Sequence, residues 1–515
     1  MTSPPEPPRR DPDARPLSEF SHSNARPRRP LSARLPRWER RTVLTAGAAL
    51  AALLLVGSGV YAVSGDDTEG GKGRTEAGDA EKPPASAPPG AGSTRPPLPE
   101  DINAGLKTGE AKAWLGTTEQ DLPPDGRGYT PWFVDDLVIR AVYREVTAFK
   151  VTDGSKAWSI TLPAAICDTP AQPTPDGKVV VAYQGKADNS GGRCNHLQMI
   201  DLKKGAGGWR KKLDESGRFD STITVRLAIT GNTVAVARDM IAEGYRVSDG
   251  KRLFGLAEDS SGGCAPDDVA GGTKLLVLDH CSATDPGFGQ IKEVDPKSGK
   301  IAWRYRPKDA KTKKTRQRMF GTVYSVDPPV VSVHTAGDRS KWSVLSLTGN
   351  GKLRSAIDFG KYAFAECPEG ADSARGALIC SGGAVGKDLL YLSAKPGGEY
   401  GNGRSRIVAF DLDSGKIKWT SEPAENRPML TVGIDGSSVI GYVKADSKEP
   451  GRLVRIGPKG EEPKTVMKLG TTAHPLERLA GSGTYRDGRF FLPVSVSPDD
   501  DMKEQAQMLS YGSAG

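Results

Sequence analysis

One pattern constrains this chain more than any other: a glycine in a short polar turn, with a bulky residue four positions later. The clearest copies are IVAFDLDSGKIKW (407–419) and KEVDPKSGKIAW (292–303), followed by MIDLKKGAGGW (199–209) and VTAFKVTDGSKAW (146–158). Weaker copies are YRVSDGKRLF (245–254), VLSLTGNGKL (344–353) and LVRIGPKGEE (453–462). The turn glycines are Gly154, Gly205, Gly250, Gly299, Gly349, Gly415 and Gly460. Six of them are followed by Trp158, Trp209, Phe254, Trp303, Leu353 and Trp419. In three copies an aspartate, Asp201, Asp295 or Asp411, stands four residues before the glycine. Asp and Ser favour tight turns by bonding nearby backbone, and Gly supplies a positive φ. The bulky residue then lies early on the next strand, where its large area can seal one unit against its neighbour.

Upstream of the turns lie further strand-like runs, among them KVVVAY (178–183), NTVAVA (232–237), KLLVLD (274–279), PVVSVH (329–334) and DLLYLS (388–393). The turn glycines are spaced by 51, 45, 49, 50, 66 and 45 residues. Several short strands in every ~45–50 residues are the mark of a propeller blade. The strand–Asp-x-x-x-Gly-x-x-x-Trp hairpin resembles the PQQ-like β-propeller repeat, and the resemblance covers about 105–515. No repeated Gly-His or Trp-Asp pair supports a WD40 ring, and the sialidase Asp-box places its aromatic three residues after the glycine. Length alone, 515 residues, would suggest about three domains at ~150 residues each. The repeat replaces them with one ring.

Seven turns are visible, yet TYRDGRFFLPVSV (484–496) and QAQMLSYG (505–512) begin an eighth unit that lacks its outer, Trp-bearing strand. At the other end, GLKTGEAKAWLG (105–116) offers an orphan Trp114, 44 residues before Trp158. The expectation is an all-β, eight-bladed ring closed by the N-proximal strand, which removes both free edges. The alternative is seven blades with 105–116 outside the ring.

Residues 43–63, VLTAGAALAALLLVGSGVYAV, are uncharged and long enough to span a ~30 Å hydrocarbon core as a transmembrane helix. A cleaved signal peptide is the other reading; the length of the run and the 42 residues before it oppose that. Ten arginines against five acids in 1–42 place that side in the cytoplasm. The expected organisation is a disordered Pro/Arg-rich tail (1–42), a transmembrane helix (43–63), a disordered Pro/Gly/Ala-rich spacer (64–104) and an extracytoplasmic propeller (105–515). The six cysteines, Cys167, Cys194, Cys264, Cys281, Cys367 and Cys380, all lie in the body. An even number in an exported domain reads as disulfides. Six allow about fifteen connectivities; nearest-neighbour pairing gives 167–194, 264–281 and 367–380.

No catalytic or metal-ligating constellation emerges. The five histidines, 22, 196, 280, 334 and 474, are scattered, and His196 and His280 beside cysteines read as loop residues. No G-x-S-x-G, H-E-x-x-H or P-loop occurs. Asp499–Asp500–Asp501 reads as an exposed hairpin tip. The basic segment KDAKTKKTRQR (308–318) reads as an inter-blade loop with no paired aromatics, a poor nucleic-acid site that could meet anionic cell-wall polymer or lipid. The family resemblance implies quinoprotein dehydrogenases, which hold pyrroloquinoline quinone and Ca²⁺ at the ring centre and often carry adjacent cysteines. It also implies envelope assembly factors and sensor domains. No adjacent cysteines exist here and no calcium set can be placed by motif. The expected function is therefore a non-enzymatic scaffold or sensing module without cofactor, bound to the membrane and to an envelope protein or cell-wall ligand, with no nucleic acid. A quinone-dependent oxidoreductase is the alternative.

Overall fold

The computed structural model describes residues 101–119, 127–186, 192–215, 221–258, 263–282, 287–307, 318–335, 338–364, 382–395, 405–423, 427–480, 483–494 and 505–512. The tail, the apolar span and the spacer up to residue 100 lie outside them, as do Cys367, Cys380, 308–317 and Asp499–Asp501. Among the described residues no helix is long and apolar enough to cross a membrane.

The chain forms eight four-stranded antiparallel sheets. Seven use consecutive strands, at 132–161, 166–212, 225–256, 264–305, 318–356, 383–420 and 429–468; these are blades 1 to 7. Blade 8 combines Thr484–Arg486, Arg489–Pro493 and Gln505–Gly512 with a fourth strand, Lys112–Thr118, from the opposite end of the body. That pairing runs from Lys112 opposite Gly512 to Thr118 opposite Gln505, with Trp114 opposite Ser510. The ring is closed, eight-bladed and without a free edge at the join, so the seven-bladed alternative falls. The closing strand is 112–118 rather than 105–116. Asn103 exchanges two hydrogen bonds with the backbone of Ala113, at 2.8 and 2.9 Å.

Burial explains the strand sequences. The second strands Leu137–Val142 and Thr233–Arg238 are buried at every position, because both faces of a blade are covered by its neighbours. Hence their near-continuous apolar runs. The fourth strands, such as Lys156–Thr161, alternate exposed and half-buried residues. One apolar cluster joins blades 1, 2 and 3 through residues such as Ile139, Val180 and Val236. The core thus lies between blades, not within them.

The bulky residue of each repeat packs on the turn glycine of the next. A Cβ on Gly154 would stand 2.5 Å from the Trp114 ring, one on Gly205 2.4 Å from Trp158, and one on Gly250 2.9 Å from Trp209. Phe254 covers Gly299 and Trp419 covers Gly460 in the same way. At several interfaces the indole N–H also caps the neighbour's turn: Trp114 Nε1 donates to Val151 O at 2.9 Å, Trp209 to Val247 O at 2.7 Å and Trp419 to Pro458 O at 2.9 Å, whereas Trp158 Nε1 is buried with no partner among the described residues. Within the turns, Asp295 Oδ1 accepts from the Lys297 and Ser298 N–H groups and the Ser298 hydroxyl, and Asp411 does the same with Asp413 and Ser414. These bonds hold both carboxyls below their usual range, led by the Ser298 hydroxyl for Asp295 and the Ser414 N–H for Asp411.

Blade 5 departs from the expected assignment. Gly351, not Gly349, has the positive φ (76°) and lies under Trp303. Gly349 contributes its carbonyl, which accepts from Trp303 Nε1 at 3.2 Å. Counting four from Gly351 reaches Ser355, not Leu353, which is 48% exposed. The Ser355 hydroxyl donates to Leu412 O at 2.7 Å, beside Gly415. A small hydroxyl takes the place of an indole there because the backbone comes closer: a Cβ on Gly415 would lie 2.2 Å from Ala356 O.

The join between blades 7 and 8 carries a short helix, His474–Leu479, whose Glu477 is fully buried. Tyr511 Oη donates to Glu477 Oε1 at 2.5 Å, and the Gly451 N–H donates to Oε2 at 2.8 Å. One carboxylate thus ties the last strand of the chain to blade 7. Burial pushes its pKa up to about 7, against the pull of the Tyr511 and Gly451 bonds and the Arg427 charge. A carboxyl raised in the native state stabilises fully below its unfolded pKa of ~4.3, and this contribution is lost as pH rises through 7. The difference in unfolding free energy between the native chain and Glu477→Gln should therefore shift by on the order of 3 kcal/mol across this window. Denaturant titrations at several pH values check this; an equal pH slope in both proteins contradicts it.

Substituting glycines separates the two demands of the turn. Gly231 has φ 58° with nothing within 4 Å of a Cβ, whereas Gly205 has φ 62° and the Trp158 face above it. Gly231→Ala should cost about 1 kcal/mol for the left-handed backbone alone. Gly205→Ala should cost about 2–4 kcal/mol because overpacking adds to it. Equal losses on chemical denaturation would mean that the indole contact is not tight.

Candidate functional site

Antiparallel strands alternate in direction, so the connections of each blade leave two different faces. Strands one to two and three to four are joined by turns such as 135–136, 231–232 and 152–155 on one face. The other face carries the longer connections, such as 184–195, 213–224 and 444–451. Both observed disulfides sit on that second face. Cys264 opens the first strand of blade 4 and pairs across the sheet with Cys281, while Cys167 in blade 2 joins Cys194 just before His196–Asp201. The 167–194 and 264–281 pairs are those expected from sequence; the third pair lies outside the described residues.

Beside the Cys167–Cys194 bridge, where blades 1, 2 and 3 meet, a cleft of about 200 Å³ opens on this face. Arg127, Tyr143, Gln184, Ile223 and Arg226 contribute to its lining, and no carboxylate does. The wall is braced from behind. Tyr129 Oη donates to Ile166 O at 2.7 Å. The Thr222 hydroxyl and N–H both donate to Glu215 Oε1, and the Cys194 N–H donates to Thr222 O at 2.8 Å. Glu215 is held down to about 2 by the Thr222 hydroxyl first and Arg193 second. Segment 221–226 is therefore fixed on both sides, and it presents Ile223, 74% exposed, at the rim. Asp168 lies buried behind the wall, accepting from the Leu227 N–H at 2.6 Å. Burial pushes its carboxyl well up, with the Arg226 charge opposing. The arrangement offers two guanidinium groups, an amide and an apolar residue on a rigid frame.

The repeat residues serve the ring and do not meet in this cleft; of the residues singled out by sequence, only Cys167 and Cys194 line it. His196 and His280 prove to be strand residues rather than loop residues, and His196 Nδ1 lies 2.7 Å from Asn195 Oδ1. Arg127, Gln184, Ile223 and Arg226 had no motif. They come from connections and strand ends far apart in the chain, and only the cysteine pair pointed to the spot.

Among the described residues no three His, Cys, Asp or Glu side chains gather to hold a metal ion. The tryptophans are committed elsewhere. Trp132 Nε1 donates to Pro170 O at 2.8 Å, Trp342 packs edge-on against Phe359, and the repeat tryptophans cover turns.

Ring and repeat together define the class: this is an eight-bladed β-propeller. Within it, residues 112–260 match the family model described as outer membrane protein assembly factor BamB, which spans the closing strand and blades 1 to 3. Among solved structures, the chain resembles BamB from Moraxella catarrhalis at 16% identity and TM-score 0.44, covering 79% of this chain and 97% of that one. It also resembles quinohemoprotein alcohol dehydrogenase from Comamonas testosteroni at 17% identity and TM-score 0.45, covering 79% and 77%. A second such dehydrogenase, from Pseudomonas putida HK5, matches at 13% identity and TM-score 0.45, covering 78% and 75%. No curated protein matches the sequence.

The 167–194 bridge closes a separation of 27 residues and braces the cleft. Replacing both cysteines by serine should cost about 3–4 kcal/mol on chemical denaturation. A loss below about 1 kcal/mol would show that the surrounding bonds hold the segment without it.

Proposed function

We propose that this chain is a membrane-anchored, extracytoplasmic propeller that works as a non-enzymatic scaffold, holding a protein partner at the cell envelope on its disulfide-bearing face. No cofactor and no nucleic acid take part. The observation that carries the reading is the braced cleft on that face, where cationic, tyrosyl and apolar groups are held on a closed ring. Arg, Tyr and exposed aliphatic residues on a rigid frame are what protein interfaces enrich. The apolar span 43–63, the arginine excess before it and the even cysteine count support anchoring and export. The match of 112–260 to an assembly-factor family accords with a binding role.

A photocrosslinking residue at position 223, in the intact chain in cells, should give discrete crosslinked species. The same residue at position 232, on the opposite face, should give none. Equal patterns from both positions overturn the assignment of the face. Stoichiometric binding of pyrroloquinoline quinone with Ca²⁺ by the purified protein, together with dye reduction, would overturn the non-enzymatic reading.

A further inference from the structure

We propose that the cleft between blades 1, 2 and 3 recognises an acidic peptide segment, with a carboxylate received by Arg127 and Arg226 and a neighbouring apolar side chain laid against Ile223. This names the ligand chemistry of the face described above and rests on that reading.

Three observations carry it. The first is charge. Two guanidinium-bearing residues line one cleft of about 200 Å³ and no carboxylate shares the lining. Two acids stand behind the wall: Asp168 accepts from the Leu227 N–H and feels the Arg226 charge, and Glu215 is ion-paired with Arg193 and bonded to Thr222. Arg226 Nη1 donates to Val225 O at 3.2 Å, which leaves the rest of its guanidinium fork for a ligand. Guanidinium forks match a carboxylate with paired hydrogen bonds. The second is Ile223. At 74% it is the most exposed large aliphatic side chain among the described residues, yet its segment is fixed by Thr222 and Cys194. An apolar side chain held out at the edge of a cationic cleft suits a ligand that has an apolar group next to its charge. The third is Gln184. It lines the cleft, and its Oε1 is buried without a hydrogen-bond partner. An unanswered acceptor is costly to leave. The side chain is half-buried, so a turn of its amide would bring the oxygen to a peptide N–H in the cleft. A phosphodiester polymer offers no apolar side chain to lay against Ile223, so the peptide is favoured.

Selection from a random-peptide display library on the purified chain tests this. Enriched peptides should carry Asp or Glu beside an aliphatic or aromatic residue. A synthetic peptide from the selection should bind about tenfold or more weakly to Arg226→Ala and to Arg127→Ala, and should weaken as salt rises. Its Asp→Asn or Glu→Gln counterpart should lose binding to the native chain. Ile223→Ser should weaken binding without changing the salt dependence. Each variant's melting curve is compared with the parent's, so that loss of fold is not mistaken for loss of binding. Absence of enrichment, or acidic peptides indifferent to both arginine substitutions, overturns the proposal. Poly(glycerol phosphate) binding that depends on the arginines, with no peptide enrichment, overturns it in favour of an anionic polymer. The scaffold reading fails separately. If crosslinks from position 223 persist in cells when both arginines are alanine, the scaffold stands and the acidic-peptide assignment falls.

Discussion

The contact on which the ring depends is an aromatic face lying on a glycine of the next blade. It imposes two demands on one residue. The turn needs a positive φ, and the indole needs the space where a Cβ would be. Glycine alone meets both, which is why the same offset of four recurs while the residues between vary. The indole N–H adds a third element by donating to a carbonyl in the turn it covers, as Trp114 does to Val151 and Trp209 to Val247. Each blade therefore shapes the turn of the next, and order passes around the ring from neighbour to neighbour. The eighth blade has no turn of this kind, since its third and fourth strands come from opposite ends of the body. Its outer strand nevertheless supplies Trp114, so the join contributes to blade 1 the aromatic-on-glycine contact that five other interfaces share.

Much of this was legible in the sequence because each part follows from short-range chemistry. The Gly-to-Trp offset, the Asp-led turns and the unbroken apolar runs of the second strands are local. Even the closure was readable, as an unfinished unit at one end and an orphan Trp114 at the other. Blade 5 was misread because Gly349 and Gly351 stand two apart and only backbone handedness distinguishes them. The residue at the packing position is then Ser355, which no search for bulky side chains would choose. The cleft was illegible for a different reason. Arg127, Gln184, Ile223 and Arg226 meet only because three blades bring their connections together, and a lone Arg or Gln in a connection has no signature. Glu477 was hidden likewise, since nothing in HPLERL marks its single acid as buried.

Function follows from the division of labour between the two faces. The face with short turns is where the packing contacts are made, and substitution there acts on stability. The face with longer connections carries both observed disulfides and the cleft. There the chain is freed from the demands of blade packing, so side chains can be chosen for a ligand. The bonds of Thr222 with Glu215 and Cys194, together with the 167–194 bridge, keep that freedom from becoming disorder at the rim. The scaffold role we propose needs this combination of a frame that does not move and a patch that can vary.

The central claim is that one closed ring, joined through Lys112–Thr118, holds the cleft in place. Native-state hydrogen exchange measures this most directly. The amides of Lys112–Thr118 and of Gln505–Gly512 that pair across the join should exchange as slowly as those of the buried strand Leu137–Val142, through global opening alone. Fast exchange confined to 112–118 and 505–512, with the other blades still protected, would show an open ring and contradict the account.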